Sequence, residues 1–166
     1  MSEYTIFIHA KPYIVKYFRE VYGVPAKFPK KSFYNSLIGK FLIKPKDNYN
    51  VKLSAELAES DSHLQISLPY FSHKDIRTYN QISVTGENFI SSQLRQDFYL
   101  ALMLYVKDFL SGEFLSDKTP YVNTAIKSFI EKYELNVDCF STLLKQYHRT
   151  ETTRSKKKRK HIIKLN

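Results

Sequence analysis

The longest unbroken apolar stretch in this 166-residue chain runs from Phe98 to Val106, nine residues set inside a helical pattern from Phe89 to Leu110. A helix that is apolar all round has no face to offer water and is buried by neighbours on several sides. Crossing a membrane takes about 20 such residues, so the cover has to come from the rest of the chain, and no membrane partner is expected. The means are there: 43 % of the residues are hydrophobic and 15 % aromatic, enough for a real core. The length suits about one domain at roughly 100–200 residues each.

Elements on either side follow from period and punctuation. Tyr4 to His9 is β-branched and aromatic and reads as a strand. Pro12 suits a first helical turn, Ile14, Tyr17, Phe18 and Val21 make one face, and Gly23 stops the helix before Pro25. Ser32 can cap a short helix through Ile38 closed by Gly39, with Phe33, Leu37, Ile38 and Phe41 placed in the core. Val51, Leu53, Ala55 and Leu57, then Leu64, Ile66 and Leu68, alternate with polar residues, which predicts a β-hairpin with one buried face. Ser72 with Asp75 suggests a brief helix, and Gln81 to Val84 a further strand. Ser111-Gly112 closes the long helix. Thr119-Pro120 opens a helix to Tyr133, with Val122, Ile126, Phe129, Ile130 and Tyr133 as its stripe. After four connecting residues, Asp138 caps a last helix whose stripe is Phe140, Leu143, Leu144 and Tyr147; periodicity ends at Arg149. The fold class expected is α+β: a small antiparallel sheet packed on a long central helix, then a C-terminal helical pair. Residues 1–149 form a single compact domain and 150–166 a basic tail.

Charge points to a class of partner. The formal net charge is +10, unevenly spread. Residues 21–46 carry six lysines and no acid, and residues 145–166 carry nine basic residues against Glu151 alone. The stretch between them is net acidic, at −5. Clustered cationic segments focus a field on a polyanion and gain from counterion release, so nucleic acid is the partner expected, DNA favoured over RNA.

The helical pair from 120 to 149 fits a helix-turn-helix unit. With the second stripe buried, Ser141, Thr142, Lys145, Gln146 and Arg149 occupy the opposite face, and such residue types bond phosphates and base edges. Arg154, Lys156, Lys157, Lys158, Arg159 and Lys160 follow as a mobile segment able to track a backbone or enter a minor groove. Lys27, Lys30 and Lys31 are further phosphate candidates, interleaved with aromatics in the manner of single-strand stacking platforms. Residues 120–149 resemble the small helix-turn-helix DNA-binding proteins of phages and mobile elements, without the glycine often found in the turn. The resemblance implies duplex binding in regulation or replication of such an element. An ordinary αα-hairpin packed on the core is the other reading.

Signals for catalysis are missing from the sequence. His9, His63, His73, His148 and His161 form no metal-binding spacing, and four glycines cannot build a phosphate loop. No cofactor is expected, and no enzyme activity is assigned. Two alternatives from other classes stand beside DNA binding. One is a homo-oligomeric scaffold using the 89–110 helix or the 28–41 aromatics; the other is a Mg²⁺-dependent nucleic-acid enzyme with scattered carboxylates. The lone Cys139 excludes a disulfide framework and reads as a packing residue, the alternative being a thiol of lowered pKa. Met1-Ser2-Glu3-Tyr4 opens no signal peptide, so a cytoplasmic location is expected.

Overall fold

The computed structural model describes the backbone of residues 4–45, 56–112 and 121–163, with side chains in the last segment as far as Thr152. The fold is α+β and divides into two compact units, Met1–Gln96 and Asp97–Asn166. Against the single domain expected over 1–149, the boundary falls inside the long helix.

In the first unit, β1 (Thr5–His9) is followed by α1 (Pro12–Tyr22), which begins at its proline as expected. Gly23, at φ 81°, ends it by donating its N–H to the Arg19 carbonyl at 2.8 Å. The buried face of α1 is Ile14, Val15 and Phe18, one position round from the expected stripe, and Val21 is exposed. The chain then returns so that Ala26 bridges β3 (His63–Ser67) in parallel, while β1 pairs β3 antiparallel with Ile6 opposite Ile66 and Ile8 opposite Leu64. Leu64, Ile66 and Leu68 are buried, as the alternation requires. The hairpin partner is corrected: β3 pairs with β1, and residues 56–59 form a helical turn. Residues 51–55 of the expected first strand lie outside the described residues. Period 2 identifies which face is buried, not which strand lies alongside.

Ser32 caps α2 (Phe33–Phe41) by accepting from the Asn35 N–H at 3.2 Å. The helix passes through Gly39 instead of ending there; the Phe71 ring lies where a side chain on residue 39 would sit, which is what calls for glycine at this position. Tyr34 and Ile38 are buried, whereas Phe33, expected in the core, is 56 % exposed. The expected brief helix at Ser72 is a pair of turns. A short β2 (Leu42–Ile43) pairs with β4 (Gln81–Ile82), bearing out a strand near residue 81. α3 (Val84–Gly112) then runs from the first unit into the second.

The second unit contains the rest of α3, α4 (Val122–Lys132), a 3-10 turn (Val137–Cys139) and α5 (Phe140–Ile163). Phe98 and Tyr105 of α3 meet Phe129 of α4 edge to face, at centroid distances of 5.8 and 5.3 Å. Tyr105 Oη is bonded to Ser128 Oγ at 2.9 Å. α3 is not buried on all sides as expected: Phe98, Leu102, Met103 and Val106 are buried, but Leu100 and Leu104 are 48 % and 51 % exposed. Tyr121, not Thr119, is the N-cap residue of α4; Thr119 and Pro120 lie outside the described residues. No helix among the described residues is long and apolar enough to cross a membrane.

Candidate nucleic-acid interface

The α4–α5 pair is built around a core of Ala125, Ile126, Phe129 and Ile130 from α4, with Leu135, Cys139 and Leu143 buried from the connection and α5. The turn between them is set by two residues. Glu134 adopts φ 47°, a left-handed conformation usually left to glycine. Asn136, not Asp138, is the capping residue, its Oδ1 accepting from the Asp138 N–H at 2.9 Å. Together they shape the short connection from α4 to the 3-10 turn, which leads directly into α5.

Burial on α5 follows the helical period. Leu143 is buried and Phe140, Leu144 and Tyr147 are half-buried, so the expected stripe is the inner side. Burial pushes the Tyr147 hydroxyl above the usual tyrosine range, and the Glu151 carboxylate adds to the shift. Cys139 is buried and its thiol is pushed up to about 11, chiefly by burial, so it packs and is not an activated thiol.

Ser141, Lys145, His148, Arg149 and Thr152 are exposed, spaced at i, i+4, i+7, i+8 and i+11, one continuous outer face. Three of the five expected helix-face residues are therefore on it: Ser141, Lys145 and Arg149. Thr142 and Gln146 are half-buried at its margin. His148 and Thr152 were missed: Thr152 lies beyond Arg149, where the expected helix ends, whereas His148 lies within that helix, seven residues after Ser141, and its spacing was readable.

The expected tail is corrected most. Residues 150–163 continue α5 without a break, so Arg154, Lys156, Lys157, Lys158, Arg159 and Lys160 stand on a helical backbone. At 24 residues α5 is about 36 Å long. Its sequence holds eight Lys and Arg residues against Glu151 alone. Helical register puts positions 145, 149, 156 and 160 on one side of the backbone.

Lys27, Lys30 and Lys31 belong to the first unit and are exposed. The turn that bears them is held from beneath by Asn35, which is buried and donates Nδ2 to the carbonyls of Phe28 at 3.2 Å and Pro29 at 2.8 Å. Phe28 below them stacks on Tyr34 at 4.4 Å. The lysines are thus presented from a fixed aromatic base.

Among the described residues, no three His, Cys, Asp or Glu side chains come together as a metal site. Comparison with known proteins finds no matching family model, no matching curated protein and no matching solved structure.

Proposed function

We propose that this protein binds nucleic acid, duplex DNA in preference, through the outer face of α5 and its basic continuation. The observation that carries the reading is the exposed row of Ser141, Lys145, His148, Arg149 and Thr152 opposite the buried Leu143, on a helix continuous with the basic run. A helix is about 10–12 Å across and a major groove about 12 Å wide, so an anchored basic helix has the shape to enter it. Anchoring matters because a fixed array of donors discriminates base edges, at about 1–3 kcal/mol per good bidentate pair, whereas loosely held charge reads only phosphate.

A mobility shift titrated in salt against duplex DNA, single-stranded DNA and RNA tests this. Arg149→Ala or Gln146→Ala should narrow the gap between preferred and random duplex more than it weakens random binding. Removing residues 154–166 should weaken all sequences alike and flatten the salt slope by roughly 0.9 for each phosphate no longer neutralised. Failure to bind any of the three at low salt overturns the proposal.

A further inference from the structure

A second aromatic and cationic surface lies in the first unit and has no part in the α5 interface. It is built by the loop between β3 and β4, a stretch long enough that its order needs a cause. Lys74 supplies one, donating Nζ to the carbonyls of Gly39 at 2.7 Å and Leu42 at 2.8 Å, where α2 runs out. The Phe71 ring supplies another, lying so close over Gly39 that a Cβ there would stand 2.8 Å from Phe71 Cε1. Asp75 closes the far side: its Oδ1 accepts from the Arg77 N–H at 3.0 Å and its carbonyl from the Tyr79 N–H at 2.8 Å.

A loop fixed at those points leaves Tyr70 out of the packing. Its side chain is 86 % exposed, the most of any large hydrophobic residue among those described. Tyr70 borders two clefts at once. One, of about 1080 Å³, is open and lined also by Tyr4, His73 and Arg77. The other, of about 180 Å³, is lined also by Lys30, Phe71 and His73. A flat ring held clear of the core, with a lysine lining one adjoining cleft and an arginine lining the other, is the arrangement on which a base stacks while its phosphates are neutralised. Charge agrees, since residues 21–46 carry six lysines and no acid. Asp75 is the acid lining the larger cleft, and its Oδ1 is tied to the loop backbone.

We propose that this surface binds single-stranded nucleic acid, a base stacking on Tyr70 with its flanking phosphates at Lys30 and Arg77. The proposal rests on the nucleic-acid reading above but gives a different strand form to a different unit. A duplex buries its base faces in the stack and cannot offer one to Tyr70.

The test uses the full chain with fluorescent oligothymidylate, oligouridylate and a mixed-sequence duplex, reading anisotropy across a salt series. Tyr70→Ala should weaken single-strand binding about 5-fold or more. Tyr70→Phe, which keeps the ring, should bind as the parent does, and neither should move duplex affinity. Lys30→Ala should lower the single-strand salt slope by about 0.7. The two oligonucleotides show whether DNA or RNA is taken. Unchanged single-strand binding by Tyr70→Ala overturns the proposal. If Lys145→Ala with Arg149→Ala still lowers duplex binding, the α5 reading survives that failure. An equal loss on single strand and duplex also overturns it, because one shared surface would then serve both. Single-strand binding that needs Tyr70, with no duplex binding at all, sustains this proposal and removes the other.

Discussion

Replacing Gly86 with alanine sets a helix preference against a steric one, and the outcome can be worked from the structure. Gly86 is buried in the first turn of α3, where the Ser83 Oγ accepts its N–H at 3.2 Å. Ser83 in turn donates its N–H to the Phe41 carbonyl at 3.1 Å, so the start of α3 is clamped onto the end of α2. A Cβ on residue 86 would run into Phe41 Cβ and stand 2.6 Å from Phe41 Cγ. Alanine is worth up to about 1 kcal/mol over glycine within a helix. Overpacking typically costs about 1–3 kcal/mol. The atoms struck are the root of the Phe41 side chain, so turning its ring gives no relief and the cost falls in the upper part of that range. Gly86→Ala should therefore destabilise by about 1–2 kcal/mol and lower the midpoint of thermal unfolding by roughly 2–8 °C. Phe41→Gly removes both struck atoms, and in that background Gly86→Ala should become neutral or stabilising. Urea unfolding of the parent, the two single variants and the double, followed by circular dichroism, gives the coupling directly, expected at about 1–3 kcal/mol. A stabilised Gly86→Ala in the parent background, or two effects that simply add, would refute the contact as the reason for glycine here.

Three further outcomes are expected. At the α4–α5 turn, Asn136→Ala should cost about 1 kcal/mol through removal of the cap, while Glu134→Gly should recover up to about 1 kcal/mol by relieving the left-handed backbone; urea midpoints decide both. The His63 imidazole is held below its usual pKa, first by burial and then by His9, whose ring stands 5.3 Å away, against a smaller opposing pull from Glu87. Folding therefore disfavours the charged form: the contribution is complete above the ordinary histidine value of about 6.5 and is lost as pH falls below it towards the folded pKa. His63→Gln should lose less stability than the parent between neutral pH and pH about 5, and parallel curves would exclude His63 as the source. On α5, one alanine inserted after Thr152 turns the downstream residues by about 100°, whereas seven return them to within about 20°. Duplex binding should fall with one and recover with seven; equal binding by both would show that the basic run acts without helical register.

Elements whose ends are written in local chemistry were legible in the sequence. Pro12 and Gly23 bound α1, Ser32 opens α2, and the alternation of Leu64 and Ile66 marks β3, because each signal acts within a few residues of itself. The pairing of β3 with β1 was not legible, since the matched residues, such as Ile8 and Leu64, are far apart in the chain and the nearer alternating run at 51–57 offered itself as the partner. Gly39 and Gly86 misled or said nothing for the same reason: what makes them glycine is Phe71 in one case and Phe41 in the other. Loss of period at Arg149 was a different kind of failure. An apolar stripe reports that a helix has something to pack on, not that it is a helix. Beyond Tyr147 the stripe stops, yet lysine and arginine are good helix formers and cations near a helix C-terminus are favoured by its dipole, so the backbone runs on to Ile163. That error lies at the candidate site. Ser141, Lys145 and Arg149 were found because Leu143 on the opposite side fixed the register, whereas Thr152 escaped once no stripe remained to count from; His148, beside Tyr147, had a readable spacing from Ser141 and was passed over. Tyr70 is the limiting case, a ring with no periodic neighbour, visible only after Lys74, Phe71 and Asp75 are seen to hold its loop. A residue that packs on little within its own fold leaves no period in the sequence. Its place has to be inferred from the residues that do pack: Leu143, buried on the inner side of α5, and Lys74, whose Nζ ties the loop to the carbonyls of Gly39 and Leu42.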